Sequence, residues 1–229
     1  MAVTAPVCGA SGMDGMTDRL VVSPEPAEYQ LSRDGGATLA ICYNWSCAKV
    51  AQMQFTAQEM AGVLAQMKAC SGDGVYERLQ RARIGVWGME VLAQKYLPAL
   101  ANDLAVNDRD ADAEGRTDCV DNATNTTTFL AILRDLGALE GWTLGAPRVR
   151  DRFTIDVHWT ATLIDAQGGE EWAVDSWFRP HGHLPFVSPI AEWQAAHKPW
   201  LAPWDAYNPF PRSVLSLCKA GLRPVSGSQ

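Results

Sequence analysis

The chain has 229 residues, 47% of them hydrophobic and 20% charged, with nine tryptophans and a net charge of −7. That length supports one sizeable core, and a single domain is the default reading. The acidic balance and the lack of a lysine/arginine stripe remove the electrostatic basis for nucleic-acid binding. No run approaches the roughly 18 consecutive apolar residues of a membrane helix, so no membrane span is expected.

The amino terminus, "MAVTAPVCGASGMDGM", lacks a basic n-region and an apolar h-region. As the sequence stands it reads as cytoplasmic, or as periplasmic or secreted if a leader has been removed. Residues 1–37, rich in Gly, Pro, Ser and Asp, read as a loose arm, and 38–229 as one domain. "ATLAICYNWSCAKV" (37–50) is apolar, with Tyr43, Asn44 and Trp45 between two cysteines. "TAQEMAGVLAQMKAC" (56–70) predicts a helix, because Thr56 and Glu59 have capping-box spacing. A longer helix is predicted within 73–100, where Val75, Leu79, Ala82, Val86, Met89 and Ala93 recur at three- and four-residue steps and Pro98 ends or kinks the run.

A polar, acidic loop (101–118) leads into "DCVDNATNTTTFLAIL", a helix that Gly137 and Gly141 punctuate at its end. "RFTIDVHWTATLID" (152–165) and "EEWAVDSWF" (170–178) read as two strands around "AQGG", and a short helix is expected near "SPIAEWQAA". The resulting class is α+β, with helices followed by an antiparallel strand pair.

Asp118 is a suitable N-cap, which makes Cys119 the first helical residue. Free amide groups and the positive end of the dipole there favour a thiolate. Asp118 and Asp121 oppose it, so a cationic partner is needed. His158 sits on the mostly polar face of a strand whose other face is apolar. A turn centred on Ala166–Gln167 sets His158 directly opposite Asp175, whereas one centred on Gly168–Gly169 shifts the register. The division of labour is then nucleophile for Cys119, base for His158 and orienting carboxylate for Asp175.

Cys119 at a helix start, "HWTATLID" and "EWAVDSWF", in the order Cys–His–Asp, resemble the transglutaminase-like superfamily, of the bacterial cysteine proteinase type. "CYNWSC" with "DCVDNATNTTTFL" further resembles an uncharacterised group within it. The resemblance covers about 115–180 well and implies a papain-like core, its catalytic helix packed on an antiparallel sheet, with catalytic Cys119, His158 and Asp175. It implies attack on a peptide, isopeptide or other amide bond of a peptide or protein substrate, through an acyl-enzyme and without a cofactor. Acyl transfer to an amine, and a catalytically silent binding module with the same fold, remain alternatives.

An oxyanion donor is required as well. The Cys119 backbone N–H is one candidate and Asn44 or Tyr43 a second, with Trp45 as a wall and Asn122 and Thr126 lining the cleft. Six cysteines (Cys8, Cys42, Cys47, Cys70, Cys119 and Cys218) are even in number. A free Cys119 leaves five, so mostly reduced thiols are expected, with Cys42–Cys47 as one pair close enough to bridge. "DRDADAEG" (108–115) opens like a calcium loop but lacks the Gly and Glu it needs, His181 and His183 read as loop residues, and no metal site is expected. The three N-x-S/T matches, at Asn44, Asn122 and Asn125, read as chance. The oligomeric state is not legible from the chain.

Overall fold

The structure, a computed structural model, describes residues 24–106, 112–151 and 157–195. In chain order these form strands β1 (Tyr29–Leu31), β2 (Ala37–Tyr43) and β3 (Lys49–Phe55), then helices α1 (Ala57–Lys68) and α2 (Val75–Tyr96). A 3-10 turn (Pro98–Asn102) and helix α3 (Cys119–Asp135) follow. Strands β4 (Trp142–Arg150), β5 (His158–Asp165), β6 (Glu171–Asp175) and β7 (Phe186–Pro189) and helix α4 (Ile190–Ala195) complete the order. The class is mixed α and β with two antiparallel sheets, β1-β2-β3 and β4-β5-β6-β7.

Local chemistry sets the element ends. Thr56 and Glu59 form the expected capping box at α1, with Glu59 N donating to Thr56 Oγ1 at 3.3 Å and Thr56 N to Glu59 Oε2 at 2.8 Å. Helix α2 stops at Leu97, since Pro98 has no N–H with which to continue the ladder. At the end of α3, Gly137 takes φ 72°, a left-handed value that glycine adopts at no steric cost. Two readings change. Tyr29–Leu31, inside the expected loose arm, pair with β2, and 37–55 form two paired strands.

Helix α3 contacts β2, α2 and β5, so it is packed by both sheets and a helix. That explains a helix rich in threonine yet buried along nearly its whole length. The hydroxyls of Thr126, Thr127 and Thr128 all find partners. Thr127 Oγ1 donates to Ala123 O at 2.6 Å, and Thr128 Oγ1 donates to Thr124 O at 2.8 Å while accepting from Ala27 N. The large apolar core joins Leu39, Ile41 and Phe55 of the first sheet to Leu130 and Leu133 of α3 and Ala161, Leu163 and Trp172 of the second. Gly85 lets α2 close in, because a Cβ there would lie 2.7 Å from Leu133 Cδ1 and 2.8 Å from Met67 Sδ.

Candidate active site

The site begins at the N-terminus of α3. Asp118 Oδ1 accepts from Asp121 N at 2.9 Å, and Asp121 Oδ2 accepts from Asp118 N at 3.2 Å. This reciprocal cap places Cys119 at the first helical position, fully buried. Asp121 has a second task. Its oxygens accept from the backbone N–H of Trp45 at 2.8 Å and of Cys47 at 2.5 Å, while Ser46 Oγ donates to Asp118 Oδ2 at 3.2 Å.

Those donors belong to an unusual turn. Asn44, Trp45, Ser46 and Cys47 have φ of 60°, 65°, 52° and 55°. Four consecutive left-handed non-glycine residues cost about 1–2 kcal/mol each. The compensations are all visible. The N–H groups of Trp45 and Cys47 converge on one carboxylate, and the Cys42–Cys47 disulfide closes the loop. Asn125 brackets Cys42, accepting from its N–H and donating to its carbonyl, both at 2.8 Å. Burial, reinforced by the Asp118 charge, pushes the Asp121 carboxyl well above the ordinary range, and burial raises Asp118 as well.

The expectation of mostly reduced thiols is overturned. Cys42 and Cys47 are bonded to each other, Cys70 and Cys119 are also disulfide-bonded, and no described cysteine is free. An odd thiol is expected only if Cys119 is free. With that sulfur bonded, an even count needs no odd thiol.

The second half of the site is on β5 and β6. His158 Nε2 lies 2.7 Å from Asp175 Oδ2, with both side chains buried. The two are not directly opposed, as the Ala166–Gln167 turn predicts. Ala161 pairs with Val174 and Ile164 with Glu171, which sets Asp175 one step diagonal to His158. The reason is the turn. Asp165 Oδ2 accepts from Gly168 N at 2.9 Å, Gly169 N donates to Asp165 O at 2.8 Å, and Gly169 takes φ 72°. The loop therefore centres on Gln167–Gly168. A two-residue shift keeps both side chains on one face, and diagonal neighbours remain within reach of long side chains.

Aromatic rings enclose the imidazole. Trp177, Phe178 and Trp193 have ring centroids 4.7, 4.8 and 5.4 Å from it. The same buried cluster includes Cys119 and Ala123 of α3. Asp175 is held by two further donors, Trp193 Nε1 to Oδ2 at 2.8 Å and Trp177 N to Oδ1 at 3.2 Å. With Nε2–H given to the carboxylate, Nδ1 carries the imidazole lone pair. Nδ1 is buried and has no hydrogen-bond partner among the described residues, and the same holds for Trp177 Nε1.

The remaining candidates divide. Asn44 is committed to the preceding loop, accepting from Gly115 N at 3.1 Å and donating to Ala113 O at 3.3 Å. Tyr43 is half-buried against the large core, with the Lys49 ammonium 5.8 Å from its ring centroid. Trp45 is buried, and its Nε1 has no partner among the described residues. Asn122 donates to Thr117 Oγ1 at 2.6 Å and Asp118 O at 3.0 Å, and Thr126 donates to Ser176 Oγ at 3.2 Å beside Asp175. His181 Nε2 donates to Glu90 O at 3.0 Å, and His183 is exposed. The acidic 108–115 segment lies partly outside the described residues. Cys42, Cys47 and Asp121 come together at metal-ligand range, but the sulfurs are already bonded to each other.

Sequence reasoning missed the tasks of Asp121, Asn125 and Trp193. For Asp121 the capping-box spacing with Asp118 was an available signal. Trp193 gave none. Comparison with protein-family models, curated proteins and solved structures returns no match.

Proposed function

We propose that this chain is a cysteine-dependent hydrolase of peptide, isopeptide or other amide bonds, with a papain-like, transglutaminase-type core. One observation carries the reading. The His158–Asp175 pair at 2.7 Å leaves a buried Nδ1 with no partner among the described residues, and the rings around that imidazole, Trp177, Phe178 and Trp193, belong to the buried cluster that holds Cys119 at its helix N-terminus.

In this reading the disulfide-bonded Cys119 is a resting form, and an external dithiol reduces it. The Cys119 proton passes to His158 Nδ1 as sulfur attacks the substrate carbonyl carbon, and the carbonyl π pair moves to oxygen. The Cys119 backbone N–H supports that oxyanion. Collapse breaks the C–N bond, and the leaving amine takes the proton from His158. Water, deprotonated by Nδ1, then releases the acyl group and restores the thiol. Asp175 fixes the ring and stabilises the imidazolium throughout. Acyl transfer differs only in the second half, where an amine replaces water. Because Cys119 and His158 are both buried, the covering groups must move before a carbonyl reaches the sulfur. Four disulfide-bonded cysteines suit an oxidising compartment better than the cytoplasm.

Two observations favour a second reading, a catalytically silent binding module. Cys119 is oxidised, and it clusters with Trp159, whose side chain alternates with that of His158 along β5. Iodoacetamide alkylation after dithiothreitol treatment separates the two. The hydrolase reading expects Cys119 to label fastest, with an inflection below pH 8 that His158→Ala removes. Labelling no faster than free glutathione, unchanged by His158→Ala, sinks the enzyme and leaves the module.

A further inference from the structure

The residue that holds Asp175 from the far side lies outside the proposed triad. Trp193, on the short helix α4, is fully buried and donates its indole N–H to Asp175 Oδ2 at 2.8 Å. That is the same oxygen that pairs with His158 Nε2 at 2.7 Å. The indole is itself held. Arg150 on β4, buried and opposite His158 in the β4–β5 ladder, donates from Nη1 to Trp193 O at 3.1 Å. Its guanidinium carbon lies 5.0 Å from the centroid of the Trp193 ring, a cation–π distance.

We infer that Trp193 is a positioning residue for the His158–Asp175 pair, clamped in turn by Arg150. The inference rests on the hydrolase reading for its catalytic meaning. A carboxylate oxygen has two lone-pair sites, so a second donor on Oδ2 fixes the carboxylate plane without displacing the imidazole. It also tempers the oxygen's basicity, because two N–H groups divide one charge. Trp177 N holds Oδ1, so the carboxylate cannot rotate about its Cβ–Cγ bond without breaking a bond at each end. Among the described residues, the titratable and charged groups around Asp175 are His158 on β5, Arg150 acting through Trp193, and Arg179 after β6, whose charge interacts with that of Asp175.

The first test needs no variant. In proton–nitrogen correlation spectra of the intact chain, the Trp193 indole N–H resonance moves with pH at the midpoint of the His158 ring protons, because both donors share one oxygen. A second test uses Trp193→Phe, which keeps an aromatic ring and removes the N–H. The carboxylate then binds the imidazolium more strongly. The His158 titration midpoint rises by roughly one pH unit, the size of one hydrogen bond to a charged group, and the alkaline limb of Cys119 alkylation in the reduced chain moves up with it.

A purely structural tryptophan would lower the melting temperature and leave both midpoints alone. An indole resonance that stays flat while His158 titrates overturns the inference, and so does an unchanged midpoint in a folded Trp193→Phe chain. Neither spectroscopic readout requires a reactive thiol. If Cys119 proves inert while the indole tracks the imidazole, the hydrolase reading fails and the positioning role stands.

Discussion

The two halves of the site are built from opposite materials. Around the N-terminus of α3, backbone N–H groups, two buried carboxylates and a disulfide hold a left-handed turn against the helix. Around His158 and Asp175, three aromatic rings and two extra donors hold a single hydrogen-bonded pair. The first half stores backbone strain and balances it with polar bonds. The second carries no such strain and relies on exclusion of water. A site divided this way fixes Cys119 through the main chain and His158 through side-chain packing, so the halves should fail differently.

The largest effect is expected on the aromatic side. Asp175→Ala removes the acceptor of His158 Nε2, Trp193 Nε1 and Trp177 N together. Leaving several buried donors unsatisfied costs about 3 kcal/mol or more. If the hydrolase reading holds, loss of the orienting carboxylate also slows turnover roughly 10³- to 10⁴-fold. Urea unfolding measures the first and a peptide-amide assay on the reduced chain the second. Asp175→Ala with near-normal stability would mean that the three donors find other partners, and the contrast between the halves would collapse.

On the polar side, Asp121→Ala strands the N–H groups of Trp45 and Cys47 and removes half of the α3 cap. The expected loss is about 3 kcal/mol. It should come with faster hydrogen exchange confined to 44–48 and the first turn of α3, while His158 and its rings stay protected. Replacing Cys42 and Cys47 together by serine is milder, about 2 kcal/mol for so short a loop, because Asp121 and Asn125 still grip the turn. If the serine pair were instead the more damaging change, the disulfide rather than the carboxylate would be the main restraint.

The same contrast explains what could be read from the chain. The α3 cap, the α1 capping box and the His158–Asp175 pairing follow from spacing and strand parity, which are local rules. The pairing survived an error of register because a two-residue slip preserves the face. The left-handed turn at 44–47 was not legible, since of Asn-Trp-Ser-Cys only the asparagine has any intrinsic tendency toward it. Partners distant in sequence hold it, chiefly Asp121, 74 or more residues away, and Asn125. Strands β2 and β3 were missed for a related reason. Their pairing is non-local to any single apolar run, and β3 reads "KVAQMQF", alternating too weakly to announce itself. Trp193 sits in a short helix whose sequence shows only an apolar residue, and its hydrogen bond depends on where β4 brings Arg150.

The smallest expected effect concerns the connection between the halves. Glu90, buried on α2, accepts from Gly182 N at 3.2 Å and is hydrogen-bonded to Ser176, whose Oγ also meets Thr126 of α3 at 3.2 Å. A carboxyl on α2 thus reaches the residue after Asp175 and, through it, the Cys119 helix. Burial raises Glu90 from the ordinary 4.5 to about 8. In that window the folded chain binds a proton that the unfolded chain has lost, so stability falls as pH rises and levels off above about 8. Asp118 and Asp121, also raised, act in the same direction. Glu90→Gln keeps an acceptor for Gly182 N and removes the ionisation, so the melting temperature should fall less steeply between pH 5 and 8 than in the parent chain. Thermal scans of both across that range decide the point. Parallel slopes would assign the pH dependence to the Asp118–Asp121 clamp and make the two halves independent. A flattened slope makes Glu90 the group through which proton binding on α2 is felt at both.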